Sequence, residues 1–224
     1  MKQKLIALGV AAALAVLSGA LLAQQKAAPA GGMKLSDGVV KIGILTDLSG
    51  TYSDLSGAGS ITAAKMAIED FQAQEKGNTF PIELVYGDHQ NKGDVASNKA
   101  REWFERDKVD MIGDLVTSST ALAVMPIAKQ MNRITIVSGA GSTLITGKSC
   151  TDTNVHYVYD TYALANGTGK AVVKQGGDSW FFLTADYAFG HSLEKDTSDA
   201  VKANGGKVLG AVRHPFPGDR KSVG

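Results

Sequence analysis

Residues 110–142, DMIGDLVTSSTALAVMPIAKQMNRITIVSGAGS, are the stretch whose reading decides the fold. Met111 and Ile112 form a short apolar run that passes through Asp114 into a hydroxyl cluster, Thr117-Ser118-Ser119-Thr120. Ala121, Val124, Ala128 and Met131 then recur at helical spacing. The stretch reads as strand, polar loop and helix. A second apolar run, Ile134-Thr135-Ile136-Val137, ends in Ser138-Gly139-Ala140-Gly141-Ser142, so two successive strands finish in small, hydroxyl-rich loops. In a parallel sheet both loops lie at one edge, outside the carboxyl ends of the strands. The first loop also opens a helix, where free N–H groups and the positive dipole end favour an anion such as a carboxylate. Ser and Thr at that position can equally be ordinary helix caps, and the sequence leaves both roles open.

Working outward, the same alternation continues on both sides. Val40, Ile42, Ile44 and Leu45 form a buried-type run, LSGTYSDLSGAG a Gly- and Ser-rich loop over 48–59, and Ile61, Ala64, Ile68 and Phe71 one face of a helix. Ile82–Tyr86 reads as the next strand, closing at Gly87-Asp88, and Ala96, Ala100, Trp103 and Phe104 mark a second helix. Past Ser142 lies a less regular stretch over 143–169, with Asp152–Tyr159 read as a crossover between two lobes. The rhythm then resumes: a helix over 161–175, a strand over 180–183, a loop over 184–190, a helix over 191–204 and a strand over 208–212. Strands alternating with helices predict an α/β fold with parallel sheets flanked by helices. Tyr187, in the loop after the Trp180 strand, would face the hydroxyl loops from the second lobe, or simply pack.

Composition bounds the function. The chain has 224 residues, 44% hydrophobic and 20% charged, which is ordinary globular material. Lys2 and Lys4 form a basic start, Leu5–Leu17 an apolar core, and Ser18-Gly19-Ala20 or Leu21-Leu22-Ala23 a small-residue exit. Residues 1–23 therefore read as a cleavable secretory signal and 24–38 as a flexible segment, with the mature protein soluble in the periplasm. Without Lys2 and Lys4, 21 basic residues face 22 acidic ones, and no basic patch points to nucleic acid. Cys150 is the single cysteine, so no internal disulfide is expected, and no Cys/His cluster has zinc spacing. His89, His156, His191 and His214 are scattered, the usual pattern of packing or surface histidines.

Three chemistries are set aside on spacing. Gly57-Ala58-Gly59 supplies two of the three glycines of a dinucleotide fingerprint, with its acidic partner too distant. Gly147-Lys148-Ser149 ends like a P-loop, but Ser142 stands where the first glycine belongs. No G-x-S-x-G elbow is present, and the spacing of Ser118 and His191 does not support a nucleophile and base. The expectation is a binding protein, not an enzyme, with neither cofactor nor metal.

The signal peptide, VKIGILTDLSG, the TSST and SGAGS loops, the DTYALANGTG helix start and WFFLTADYAFGHSLE together resemble the periplasmic solute-binding proteins of ABC importers, in the type I leucine/isoleucine/valine-binding family. The resemblance covers 39 to about 216. It implies a two-lobed periplasmic-binding fold, lobes over 39–155 and 156–224, closing on a small carboxylate-bearing ligand, either a branched-chain or related amino acid or an aromatic or other organic acid. It implies a monomer that hands this ligand to an ABC permease. It also implies that Thr117, Ser118 and Ser119, with Ala140, Gly141 and Ser142, hold the carboxylate, that Tyr187 closes over the ligand, and that Tyr52 touches its side chain. A sensor domain with the same fold is the competing role. Family members are longer, whereas this chain stops after HPFPGD with RKSVG, so the C-terminal parts of both lobes, and the acidic partner of an amino-acid ammonium, are expected to be missing through truncation or frameshift. The strand over 208–212 would then have a bare apolar face.

Overall fold

The computed structural model describes residues 37–74 and 80–216. The stretch read as a signal peptide, most of the following segment and the RKSVG ending lie outside the described residues. Five parallel strands form the first sheet: β1 (Val40–Thr46), β2 (Ile82–Asp88), β3 (Met111–Asp114), β4 (Ile134–Val137) and β5 (Asn154–His156), in the order β2-β1-β3-β4-β5. Between them run helices α1 (Gly57–Gln74), α2 (Gly93–Glu105) and α3 (Ser118–Gln130). A second, two-stranded parallel sheet pairs β6 (Ser179–Asp186) with β7 (Lys207–Pro215), and helices α4 (Thr161–Lys174) and α5 (Ala188–Ala203) accompany it.

Side chains alternate across a strand, and the two faces of the first sheet are treated unequally. Leu45, Ile112 and Val137 point to one face. There Trp103 and Phe104 of α2, and Ala121, Val124, Met125 and Ala128 of α3, close a continuous core. Glycines let the helix approach the strands: a methyl built at Gly43 would sit 2.6 Å from the Trp103 ring. The opposite face carries Ile42, Ile44, Met111 and Ile136. Only α1 among the described helices lies over it, leaving an apolar trough of about 620 Å³ between α1 and the strands.

The second sheet is thinner. Helix α5 packs against β6 and β7, and α4 packs against α5. On the far side Phe181, Leu183, Leu209 and Val212 are exposed, the bare apolar face that the sequence predicts there.

Two segments differ from the sequence reading. Asn154–His156, inside the stretch read as a crossover, adds a short edge strand to the first sheet; Val155 alone gave it no apolar run. Helix α5 starts at Ala188 instead of 191, so Tyr187 is its N-cap residue and not a mid-loop one.

Candidate ligand-binding cleft

The turn from β3 into α3 is tight. Asp114 and Leu115 both have positive φ, 78° and 53°, which swings Val116, Thr117 and Ser118 to the sheet edge. Thr117 is the N-cap residue of α3, yet its side chain caps no N–H. Its Oγ1 lies 2.9 Å from Thr120 Oγ1, while the Thr120 hydroxyl donates to the Thr117 carbonyl at 2.8 Å. The Thr117 proton is thus directed at Thr120. Ser118 is placed differently. Its Oγ accepts the Ser142 N–H at 3.2 Å, so its own proton stays free to donate. By contrast Asp160 caps α4 directly, accepting from the Ala163 N–H at 2.8 Å. The Thr117 hydroxyl, unlike the Asp160 carboxylate, thus makes no cap bond at its helix.

Facing this loop is the start of α5. Its N-cap, Tyr187, also makes no side-chain cap bond. The Tyr187 hydroxyl lies 2.7 Å from that of Tyr52, joining the second lobe to the loop after β1. That loop is fixed from below by Asp47, fully buried, whose carboxylate accepts the Gly50 and Tyr52 N–H groups at 2.8 Å each and the Asn91 side-chain amide. The Asn91 backbone in turn donates to His89 Nδ1 at 3.1 Å. Burial pushes the His89 ring down to about 4, despite the opposing pull of Asp47 and Asp88, so His89 is a neutral packing and accepting group. Burial, then the Tyr52 bond, raises the Tyr187 phenol, which keeps it protonated as a hydrogen-bonding lid.

Between these parts lies a hollow of about 90 Å³. The first lobe lines it with Tyr52, Leu55, Val116, Thr117, Ser118, Gly139 and Gly141. Tyr159, Tyr187 and Phe189 close it from the other side. Gly141 is needed there, since a methyl would come within 3.2 Å of both the Phe189 ring and the Tyr159 carbonyl. The N-termini of α3 and α5 meet at this hollow, and its lining carries no Lys, Arg, Asp or Glu. Helix ends, free N–H groups and a spare Ser118 proton suit an anion that fits without a countercharge. A second hollow of about 200 Å³ adjoins the first across Leu55, Val116, Gly139 and Tyr159, and reaches Ser56, Ser60, Asp114 and Ser138.

Of the residues singled out in the sequence, Thr117, Ser118, Gly141, Tyr52 and Tyr187 come together on the hollow. Ser119, Ala140 and Ser142 stand behind it. Ser119 Oγ accepts the Ala188 N–H at 3.4 Å, the Ala140 carbonyl is 2.6 Å from His156 Nε2, and Ser142 Oγ is 2.6 Å from Ser192 Oγ in α5. Ser119 and Ser142 thus tie the first lobe to the second. Leu55, Val116, Tyr159 and Phe189 were not singled out, because an apolar side chain at a loop gives no signal of which cavity it walls. Among the described residues no group of His, Cys, Asp and Glu could hold a metal ion, and no helix is long and apolar enough to cross a membrane.

The hollow lies at the carboxyl ends of the parallel strands, between the five-stranded sheet and the two-stranded one, the place where open α/β sheets take ligands. The chain belongs to the periplasmic binding protein family, whose model matches residues 39–222. It is similar to Leu/Ile/Val-binding protein homolog 6 of Brucella abortus, 28% identical over 183 residues, covering 80% of this chain and 45% of that protein. Among solved structures it is similar to a periplasmic binding protein from Burkholderia mallei (53% identity, TM-score 0.78, 84% of this chain and 49% of that one). A branched-chain amino acid ABC transporter periplasmic ligand-binding protein from Burkholderia xenovorans follows (36%, 0.65, 82% and 49%). So does an ABC transporter solute-binding protein from R. palustris in complex with 4-hydroxybenzoate (26%, 0.65, 83% and 50%). The chain spans about half the length of these relatives.

Proposed function

We propose that this chain is the solute-binding component of an ABC importer, capturing a small carboxylate between its lobes outside the cytoplasmic membrane and passing it to a permease. It binds its ligand without turning it over. The observation that carries the reading is the unspent Ser118 proton at a hollow where two helix N-termini converge and no Lys, Arg, Asp or Glu side chain lines the wall. The backbone N–H groups around Gly141 and the Thr117 turn would complete the carboxylate cradle. Four aromatic residues, Tyr52, Tyr159, Tyr187 and Phe189, surround the same space, and flat rings stack well against such walls. They favour an aromatic acid over an aliphatic amino acid. The solved relative that holds 4-hydroxybenzoate supports that choice, and the relatives named for leucine, isoleucine and valine or for branched-chain amino acids support the other.

A thermal-shift screen of amino acids and aromatic acids tests this directly. A ligand at a hundred times its dissociation constant adds about 2.7 kcal/mol of stability. Benzoates should raise the melting temperature and leucine should not. A rise with leucine alone would reverse the ligand class, and no rise with any carboxylate would remove the binding role.

A further inference from the structure

Asp114 is 6% exposed at the end of β3, and its Oδ2 has no hydrogen-bond partner. Oδ1 has one long contact, the Ser138 hydroxyl at 3.4 Å. Two of the hydroxyls nearby are engaged elsewhere: Thr46 Oγ1 pairs with Ser56 Oγ at 2.9 Å and accepts the Gly57 N–H at 3.1 Å, and Ser56 Oγ also donates to the Tyr52 carbonyl at 3.3 Å, which leaves Ser60 and Ser138 as the hydroxyls that ease the Asp114 charge. Leaving a carboxylate oxygen buried and unpaired is costly, and burial pushes this carboxyl above its ordinary range. The residue is also held at φ 78°, a conformation that Asp tolerates but that stores some strain. A buried, strained and unsatisfied acceptor in a wall is the mark of a group waiting for a partner.

The wall it occupies is that of the second hollow, which adjoins the anion cradle across Val116 and Gly139. Asp114 and Thr117 are three residues apart, so their Cα atoms are separated by at most about 10 Å. A ligand one ring long, with its carboxylate at Ser118, therefore places its opposite end beside Asp114. We infer that Asp114 is a specificity-determining residue that accepts a hydrogen bond from a hydroxyl at the far end of the bound carboxylate. This rests on the carboxylate-binding reading above, which it narrows to hydroxylated aromatic acids.

Calorimetric titration of the full chain with 4-hydroxybenzoate and benzoate distinguishes the two levels. The unaltered protein should favour the hydroxylated probe by about tenfold or more, the ratio expected for a hydrogen bond to a charged acceptor. Asp114→Gly accepts the positive φ and should bind the two probes within about twofold of each other. Asp114→Asn, which keeps the shape with a neutral acceptor, should fall between. Equal binding of both probes by the unaltered protein, or a preference that survives in Asp114→Gly, overturns the subsite and leaves the carboxylate cradle standing. Loss of both probes in both variants marks Asp114 as structural and also overturns it. If neither probe binds the unaltered protein, the subsite falls together with the aromatic-acid reading.

Discussion

In the first sheet Leu45, Ile112 and Val137 are completely covered, whereas in the second sheet Phe181, Leu183 and Leu209, equally apolar, are 60%, 70% and 68% exposed. Both sheets are parallel and both are fed by βα units. They differ in how much lies on top of them. The first rests on a core of α2 and α3 side chains, while among the described residues the second lobe contributes only Ala165, Ala200 and Val201 to the buried apolar set. The lesson concerns the cleft. The hydroxyl loop hangs from the well-packed sheet and is positioned before any ligand arrives, and the second lobe is held against it mainly by polar contacts. Ser142 meets Ser192, Tyr52 meets Tyr187, and Asp196 accepts from Thr143 at 2.9 Å.

That contrast can be broken at its strongest point. Trp103→Ala, in the covered face, should cost about 3–5 kcal/mol, while Leu183→Ala on the bare face should change stability by under about 0.5 kcal/mol; chemical denaturation of both variants compares them. Similar losses would mean that the second sheet is buried after all. Ser118→Ala comes next, with benzoate affinity falling by about 1.5–3 kcal/mol. Ser119→Ala, one layer behind, should weaken it by no more than about fivefold through the lost bond to α5, and titration calorimetry of the pair sharpens the line between cradle and support.

Acid should also find the first lobe. The folded-state value of His89, about 4, lies below its unfolded value of 6.5, so the unfolded chain takes up the proton first and His89 contributes its full share above pH 6.5. That share is lost as pH falls toward 4. Between pH 7 and pH 5, above the range of most carboxylates, the loss should be about 2 kcal/mol. His89→Gln should flatten the slope in melts at the two pH values; an unchanged slope would place its origin elsewhere. Smallest of all, Tyr52→Phe removes one hydrogen bond between lobes and should cost about 0.5–1.5 kcal/mol, visible as a small drop in melting temperature.

The strand, loop and helix units were legible because burial on a sheet and on a helix writes two different periods into the sequence. Met111–Asp114 and the helix after Thr117 were plain for that reason, as was the bare strand at Val208. Asn154–His156 was not, since three residues carry no period. Nor was the role of His89, which reads as an isolated histidine until Asp47 and Asn91 are brought to it from 42 and 2 residues away by the pairing of β1 with β2. The walls of the hollow were hidden for a similar reason. Tyr159 and Phe189 reach the hydroxyl loop only once the second lobe is in place, and nothing local to either residue reports it.

The Tyr52–Tyr187 contact has a consequence in time as well as in stability. On the proposed function, a ligand in the hollow would leave as the lobes part, and parting would break this bond together with those of Ser142 and Ser119 to α5. Each such bond, at about 1 kcal/mol net, shifts the balance between shut and parted forms by about fivefold. On the proposed function, the lifetime of the loaded protein is therefore set partly by Ser119, Ser142 and Ser192, which stand behind the hollow. Changing one hydroxyl behind the hollow, at Ser119 or Ser142, would then lengthen or shorten that lifetime with the lining itself left as it was.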